Sequence, residues 1–314
     1  MSGEGRLLNN KDSEYRKGVL CVLGCQTFWG IMPIYWYVLT PIDSKIIILY
    51  RVLTMFIFTL AFTWYKYGLK AILEPLKDRS VVWRHIFSGA VLTANWSIYV
   101  WAMTSERVLE CAIGYFIEPL VMCLFGVVLF KEKINKYNGI AMGFGLIAIL
   151  IILFHYKQLP MVALGLTFTW AIYSAMKKTS DIPALIAMTY ETALYAVIAL
   201  VAIIYVESHG IGALALNRPG LYALMLLSGL FTLIPVGLFG TAAPKVPFIV
   251  LGLAQYISPT MTMLLGIFAF KEQTDKVQII AFIIIWIGLV FFTTGEFKRF
   301  REITEAEAKT AEVH

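Results

Sequence analysis

The chain of 314 residues repeats its own pattern at a constant offset of 140 positions, as from Pro119 to Pro259. The run 115–120 is followed by Phe-Lys-Glu at 130–132, and the run 255–260 is followed by the same three residues at 270–272. The same register relates Tyr50 to Tyr190, Gly89 to Gly229, Ala102 to Ala242 and Ile140 to Ile280. Because the two copies need no insertion between them, the sequence predicts two structurally equivalent halves.

The composition places both halves in a membrane. Hydrophobic residues make up 59% of the chain and charged residues 15%, and the mean hydropathy is +0.76. A soluble domain is less apolar and more highly charged than this. A helix needs about 20 apolar residues to cross a bilayer. That length predicts ten spans, at 18–39, 44–66, 82–103, 108–130, 137–156, 159–176, 182–206, 219–241, 247–270 and 277–296.

The distribution of Lys and Arg predicts the orientation. These residues concentrate in the two tails and in the connections after the second, fourth and sixth spans. Cytoplasmic segments retain such residues, so both termini are expected in the cytoplasm. Five spans per half is an odd number, so the second half must enter the membrane in the opposite sense. We therefore expect an all-α membrane protein of ten transmembrane helices in two inverted five-helix repeats, 18–156 and 159–296, with cytoplasmic tails at 1–17 and 297–314.

Several classes of function have no support in the sequence. The pI near 9.0 comes from the membrane-side loops, and it indicates no nucleic-acid surface. The sequence contains no phosphate-binding loop, nucleophile elbow or zinc-protease helix. Its cysteines have neither metal-ligand nor disulfide spacing and fall within predicted spans, at Cys21, Cys25, Cys111 and Cys123. We expect no cofactor, no metal and no enzymatic activity.

Three motifs resemble a known family. They are Asn95-Trp96 in the third span, the run from Glu110 to Leu120 in the fourth, and the run 255–260 in the ninth. Together they resemble the RarD branch of the EamA-type permeases, in the drug/metabolite transporter superfamily. The resemblance covers about residues 17–296. It implies the drug/metabolite transporter fold and a carrier of small organic solutes in the bacterial cytoplasmic (inner) membrane. Such proteins usually carry Asn at the position of Glu118.

Glu118 is the first candidate functional residue. It lies about ten positions into its predicted span, roughly 15 Å deep and close to the midplane. An ionised carboxylate there must be paired, hydrated or protonated, because burying it alone costs several kcal/mol. Exchange of a proton for a cation or an amine at Glu118 would couple transport to protons. The alternative is a structural carboxylate, which Arg51 would pair or which Asn95 or Gln255 would bind.

Arg51 and Glu191 occupy equivalent positions of the repeat, and they carry opposite charges. Inversion places them on opposite sides of the midplane. They could form a long-range pair across a central cavity, or they could act as two separate gates. Each could instead reach the interface or satisfy nearby carbonyl groups.

Aromatic residues deep within the spans predict the lining of a cavity. Their faces attract ammonium groups and stack on planar solutes, which favours an organic cation or aromatic amine as substrate. Ordinary helix packing is the alternative for each ring. The candidates are Trp29, Trp96, Tyr99, Tyr115, Trp170, Tyr173, Tyr190 and Tyr256.

Prolines and glycines predict where helices bend or approach closely. Pro33, Pro119, Pro235 and Pro259 are candidate hinges within spans. The fifth span carries small residues at Gly139, Gly143 and Gly145, whereas the tenth has no matching set. This asymmetry favours contact of the fifth span with lipid or a partner over a symmetric pair of the two spans.

The features combine into one expectation of function. The chain is predicted to be a secondary active transporter that moves a small organic solute by alternating access. The favoured solute is an organic cation, an amine or amino-acid-like metabolite, or a drug, with protons as the candidate coupling ion through Glu118. The expected partners are this solute and the lipid bilayer, and the protein is a monomer or a homodimer. A non-transporting receptor or scaffold and a channel are the alternatives.

Overall fold

The computed structural model describes residues 3–104, 108–157, 161–269, 271 and 275–312. Over these residues the chain forms α-helices and two short 3-10 turns, at Glu74–Lys77 and Ala213–Leu216. In chain order the helices are α1 (Gly3–Val38), α2 (Ser44–Leu73), α3 (Arg79–Thr104), α4 (Val108–Val128), α5 (Lys136–Tyr156), α6 (Met161–Lys178), α7 (Ala184–Ser208), α8 (Pro219–Leu226), α9 (Ser228–Ala242), α10 (Phe248–Ala254), α11 (Ile257–Phe268) and α12 (Lys276–Glu312).

Seven segments of the described chain are long and apolar enough to cross a membrane. They are Asp12–Val38, Ser44–Lys77, Lys136–Tyr156, Ala184–Leu216, Pro219–Ala242, Phe248–Phe268 and Lys276–Glu302. A shorter apolar segment, Ile113–Val128, lies in α4. The protein is therefore an all-helical membrane protein. Seven of the ten predicted spans fall on the seven long segments. The other three fall on α3, α4 and α6, for which a membrane crossing stays a prediction.

Both predicted tails are helical over their described residues. The described part of the amino tail belongs to α1, and α12 continues through the carboxyl tail as far as Glu312. Polar contacts join the two ends, since the Tyr15 hydroxyl donates a hydrogen bond to Glu296. The Arg299 guanidinium lies 4.0 Å from the centre of the Tyr15 ring. The residues just before the first span and just after the last therefore lie at the same end of the bundle.

Helices α2 and α7, which the repeat makes equivalent, pack against each other. Tyr50, near the start of α2, donates to Glu207 Oε1 near the end of α7 at 2.8 Å. Tyr190, near the start of α7, donates to the carbonyl of Ile72 near the end of α2. The pair of helices is consequently antiparallel, and each uses a tyrosine at the same repeat position to bind the far end of the other.

Helices α5 and α12 form a second antiparallel pair of equivalent helices. A Cβ atom on Gly288 would lie 3.0 Å from that of Phe144, and one on Gly295 would lie 2.7 Å from that of Tyr137. Glycine is therefore required for this close approach. The expectation that the fifth span does not pair with the tenth is wrong, because α5 packs closely on α12 through glycines that lie on α12. A Cβ on Gly143 of α5 would meet no atom within 4 Å, so contact of that face with lipid or a partner stays a prediction.

The two halves meet between α4 and the α10–α11 segment. Tyr256 donates from its hydroxyl to the carbonyl of Phe116 at 3.1 Å, and these residues are equivalent in the repeat. A Cβ on Gly252 would lie 2.8 Å from the carbonyl oxygen of Pro119, so the backbones nearly touch here. Because this contact joins equivalent residues, the axis that relates the two halves passes close to it.

The four prolines differ in their effect on the helices. Pro33, Pro119 and Pro235 lie inside helices that continue past them. Pro259 lies in the first turn of α11, and the helix is interrupted just before it, at residues 255–256. Proline has no N–H to give to the carbonyl four residues earlier, which here is that of Gln255. Of the four prolines, only Pro259 lies next to an interruption of the helix.

A carboxylate in the α4–α5 connection fastens the start of α10. Glu132 accepts hydrogen bonds from the backbone N–H groups of Phe248 at 2.6 Å and Ile249 at 2.9 Å. Lys178 Nζ lies 3.5 Å from Glu132 and donates to the carbonyl of Val246 at 2.6 Å. This arrangement closes one end of the bundle by joining three connections, and it satisfies N–H groups that the helix itself leaves free.

We predict that Glu132→Ala destabilises this end of the protein. The substitution removes the acceptor of two backbone N–H groups and the partner of Lys178. Hydrogen bonds to charged groups contribute about 1.5–3 kcal/mol each, so the loss of two should lower the free energy of unfolding by about 3–6 kcal/mol. Thermal unfolding of the purified protein in detergent would measure the change. Lys133→Ala, at an exposed position of the same connection, should leave the unfolding temperature unchanged; an equal loss in both variants would contradict the assignment.

Candidate functional site

Glu118 on α4 is joined to a glutamine and a tryptophan from the second half. With the Gln255 amide assigned so that its nitrogen faces Glu118, that nitrogen donates to Glu118 Oε1 at 2.7 Å. The oxygen of the same amide accepts from Trp170 Nε1 at 2.8 Å. Glu118 is partly exposed, whereas Gln255 and Trp170 are buried. Of the partners that the sequence offered for this carboxylate, the structure selects Gln255.

The helix break places Gln255 in this position. Residue 255 follows the last turn of α10 and precedes Pro259 by four positions. It therefore lies at the junction of two short helices. The indole of Trp170 is held in turn by other rings. It lies 5.1 Å from Trp29 in an edge-to-face arrangement and 5.3 Å from Phe239. The amide thus has a fixed donor on one side and the Glu118 carboxylate on the other.

Two of the predicted lining tyrosines lie on α4 and on its neighbour α3. Tyr115 precedes Glu118 by three residues on α4, so the two side chains share a face of that helix. Tyr99 lies on α3, which contacts α4. Of these side chains, 37% of Tyr99 and 42% of Tyr115 is exposed, so neither ring is sealed in the core. That they line an open space beside Glu118 stays a prediction.

Arg51 on α2 is held by a threonine of α9 and by two indoles. Its Nε donates to Thr232 Oγ1 on α9 at 2.8 Å. The guanidinium carbon lies 4.2 Å from the ring centre of Trp96 and 5.2 Å from that of Trp36. It is also within electrostatic range of Tyr99. Among the described residues no carboxylate lies within ion-pair distance of Arg51.

The structure does not bring Arg51 and Glu191 together. Glu191 is paired with Lys177 Nζ at 2.8 Å, and each side chain is only 2% exposed. Tyr173 and Ser88 each donate to the Glu191 carboxylate at 3.2 Å. The sequence placed Lys177 in a cytoplasmic connection, but the residue belongs to the last turn of α6 and points into the bundle.

Three other candidates join helices to one another. Asn95 Nδ2 donates to the carbonyl of Leu166 and to Thr169 Oγ1, each at 2.9 Å, and so fastens α3 to α6. Tyr190 and Tyr256 bind the backbone carbonyls described above. The donor groups of these three side chains are therefore already used by neighbouring helices and are not available to a solute.

Sequence reasoning missed Trp36 and Thr232. Trp36 follows Trp29 by seven residues on α1, which is two turns, so both indoles lie on one face of that helix. This spacing could have identified Trp36. No local pattern identifies Thr232, because its role depends on the approach of α9 to α2.

The described residues contain no cluster of His, Cys, Asp or Glu that could hold a metal ion. The four cysteines are free thiols. The chemistry available at this site is therefore that of a carboxylate, a guanidinium, phenols and indoles. Such groups bind and exchange charged or aromatic solutes.

Comparisons with known proteins agree with this arrangement. Residues 16–154 and 160–294 each match the EamA-like transporter family. The chain is 31% identical over 290 residues to the uncharacterized transporter YojE of Bacillus subtilis (strain 168), covering 91% of this chain and 96% of that protein. It is 30% identical over 304 residues to the protein RarD of Streptomyces exfoliatus, covering 95% and 96%. It is 27% identical over 281 residues to RarD of Escherichia coli (strain K12), covering 88% and 94%.

A protein of known crystal structure shares the fold. It superimposes with a TM-score of 0.66 at 14% identity, over 87% of this chain and 96% of its own length. Apolar helices long enough to cross a membrane, together with relatives named as transporters, define a membrane transporter of the drug/metabolite superfamily. Within this class the chain belongs to the EamA-like transporter family, because both of its halves match. The resemblance to RarD is confirmed, and the chain is a multi-pass protein of the bacterial inner membrane.

We predict that the buried pair of Lys177 and Glu191 is strongly coupled. Lys177→Met leaves the Glu191 charge without its counter-ion and should lower the free energy of unfolding by about 3–5 kcal/mol. Combining Lys177→Met with Glu191→Leu removes both charges and should recover most of that loss. Thermal unfolding of the purified variants measures both values. A double variant no more stable than Lys177→Met alone would show that the pair is not coupled in this way.

Proposed function

We propose that this protein is a secondary active transporter that carries a small organic solute by alternating access. The moving parts are two inverted five-helix units, 18–156 and 159–296, with ten membrane spans and both termini in the cytoplasm. The packing supports inversion, because α2 runs antiparallel to its equivalent α7, and α5 to α12. Equivalent helices that pack antiparallel are what an axis in the membrane plane would produce.

The polarity of α3 and α6 fits this arrangement. These two helices carry Asn95, Trp96 and Trp170, and they pack against each other inside the bundle. α3 also contacts α7, and α6 contacts α4. A polar group within a span is tolerated where a neighbouring helix supplies its hydrogen-bonding partner, as α6 does for Asn95. Both helices are accordingly assigned as spans.

Glu118 is the group to which we assign coupling, and its surroundings carry the proposal. The carboxylate lies near the middle of α4 beside the open space, and its hydrogen-bonding partner among the described residues is the neutral Gln255 amide. No described cation pairs with it. An ionised carboxylate within the membrane needs a partner, so a bound cationic group can take the place of the proton.

The nature of the lining supports an amine-bearing solute. Tyr115 and Tyr99 border the space beside Glu118, and Trp29 and Trp96 are partly exposed in the same region. Aromatic faces stabilise ammonium groups and stack on planar ones. Proton exchange at Glu118 would then be linked to movement of an amine or an amino-acid-like metabolite. No step requires a cofactor or enzymatic chemistry.

We predict that Glu118→Gln abolishes proton-driven transport. The variant retains the shape of the side chain and a hydrogen bond to Gln255, but it cannot exchange a proton. Purified protein in liposomes would be tested with a panel of amines, amino acids and cationic drugs, with and without a pH gradient. Glu118→Gln should still exchange solute across the membrane and should lose accumulation driven by the gradient.

The matched control is Glu74→Gln, the same substitution at an exposed position of the 3-10 turn after α2. It should transport like the parent protein. Gradient-driven accumulation that survives in Glu118→Gln would refute the coupling role. Flux without exchange would indicate a channel, and the absence of flux for every solute would favour a receptor or scaffold.

A further inference from the structure

We infer that Glu132 is the latch of a gate at the end of the bundle where α4 ends and α10 begins. Glu132 has this role only if the protein is the carrier proposed above, so the inference rests on the proposed function. It names the contact that holds one side of the carrier closed. In the proposed topology this end faces the cytoplasm, and the structure is then the state that is closed to the cytoplasm.

The turn that ends α4 fixes the position of Glu132. Lys131 has a left-handed backbone with φ of 53°, and the N–H of Glu132 donates to the carbonyl of Gly126 at 3.0 Å. A bond across six residues with a left-handed residue inside it is a common ending of α-helices. A Cβ on Gly126 would lie 2.8 Å from Ile249 Cγ1, so a larger residue would push the second half away. The turn therefore holds the carboxylate directly against α10.

The contacts of the Glu132 carboxylate cross from the first half to the second. Its two oxygens accept from the N–H groups of Phe248 and Ile249, and the Lys178 ammonium lies 3.5 Å away. The rings of Phe130 and Phe248 lie 5.0 Å apart beside these bonds. The first N–H groups of a helix have no partner within that helix, so an acceptor from outside must supply one. Glu132 thus joins two units that have to separate at this end when the gate opens.

The distance of Glu132 from the centre of the bundle gives it control over the gate. The axis that relates the halves passes close to the bond between Tyr256 and Phe116. From Phe116, α4 continues to Val128, a rise of about 18 Å at 1.5 Å per residue. When one half rocks against the other, atoms move in proportion to their distance from the axis. Contacts at the centre can therefore persist, whereas the bonds of Glu132 have to break.

Burial along the α10–α11 span differs between its two ends. All residues of α10, from Phe248 to Ala254, are buried. In α11, the residues from Ile257 to Leu265 are all partly exposed, and together they cover every face of the helix. A span inside a bundle is buried on all sides only where its neighbours pack closely around it. The end at α10, which Glu132 fastens, is therefore the closed one, and the end at α11 is more open.

Two native cysteines report on this gate, and no solute needs to be known. Cys123 is fully buried on α4, and its Sγ lies 3.8 Å from the carbonyl oxygen of Ile249. Separation of α4 from α10 would expose it to a thiol reagent. Cys25 is equally buried in the middle of α1, away from the turn that holds Glu132. Its reaction would report loss of the fold as a whole.

A cysteine introduced at Thr262 reports on the opposite end. On α11, Thr260 binds Trp286 of α12, and Met261 lies against Gly30 of α1. Thr262 lies about 100° further around the helix than Met261, so it faces neither neighbour directly. It is also partly exposed. A cysteine at this position should react readily while the end at α11 is open.

The test is the rate at which each cysteine reacts with N-ethylmaleimide in the purified protein in detergent, followed by mass spectrometry of the peptides. Glu132→Gln keeps the shape of the side chain and removes its charge. We expect the rate at Cys123 to rise by about tenfold or more, because a charge-assisted hydrogen bond shifts an equilibrium by about one factor of ten or more. The rate at Thr262→Cys should fall in the same variant, because the two ends do not open together in alternating access. Cys25 should stay unreactive.

Lys178→Met is a second variant that leaves both N–H bonds of Glu132 in place. It removes only the neighbouring cation, so Cys123 should react faster than in the parent protein but slower than in Glu132→Gln. The matched control is Glu74→Gln, the same substitution at an exposed position far along the chain. It should leave every rate unchanged.

Three results would overturn the latch. The first is an unchanged rate at Cys123 in Glu132→Gln. The second is a rise at Cys123 and Cys25 together, which would reveal a general loss of the fold. The third is a rise at Cys123 with no fall at Thr262→Cys, which is the result expected if Glu132 only caps α10.

Flux in liposomes tests the carrier separately. Solute flux in the parent protein together with any of these three results would refute the latch and leave the carrier in place. Absence of flux for every solute would refute the carrier, and the labelling rates would still show whether the two ends open in turn.

Discussion

A polar side chain inside a bilayer must find its partner within the protein, and this constraint organises the centre of the bundle. Glu118 meets it through Gln255, whose amide reaches from the carboxylate to the indole of Trp170. An amide suits this place because it donates and accepts at the same time. The chain of hydrogen bonds crosses from the first half to the second, so a carboxylate within the membrane also joins the two units that are proposed to move.

Duplication provided a common backbone, and later divergence gave equivalent positions different chemistry. Pro119 leaves α4 continuous, whereas its equivalent Pro259 follows a break that presents Gln255 to the site. Arg51 lacks a counter-ion among the described residues, whereas its equivalent Glu191 is sealed in a buried pair. The same fold thus seals one charge in a pair and holds the other by a hydroxyl group and two indoles. A repeat is well suited to this, since each half can be stabilised by contacts that the other half does not need.

Much of the fold could be predicted, because apolar length and a constant repeat register are properties of the chain alone. The site was predicted less completely. The position of Glu118, its possible bond to Gln255 and the exposure of Tyr115 beside it follow from depth within a span and from the motif around Pro119. The partner of Glu191 did not follow, because Lys177 occurs at a helix end where basic residues usually mark a cytoplasmic loop. The packing of α5 on α12 was missed since the glycines that permit it lie on the partner helix.

The sequence by itself determined that this is a helical membrane protein with two equivalent halves, and it placed Arg51, Glu118 and Glu191 within spans. These features depend on composition and on distances along the chain, which hydrophobicity and helix geometry translate directly into structure. Only the tertiary structure decided which charge has a counter-ion and which has none among the described residues. That choice depends on how α1, α3, α6 and α9 approach α2 and α7, and the approach is set by side-chain packing between residues that are far apart in sequence.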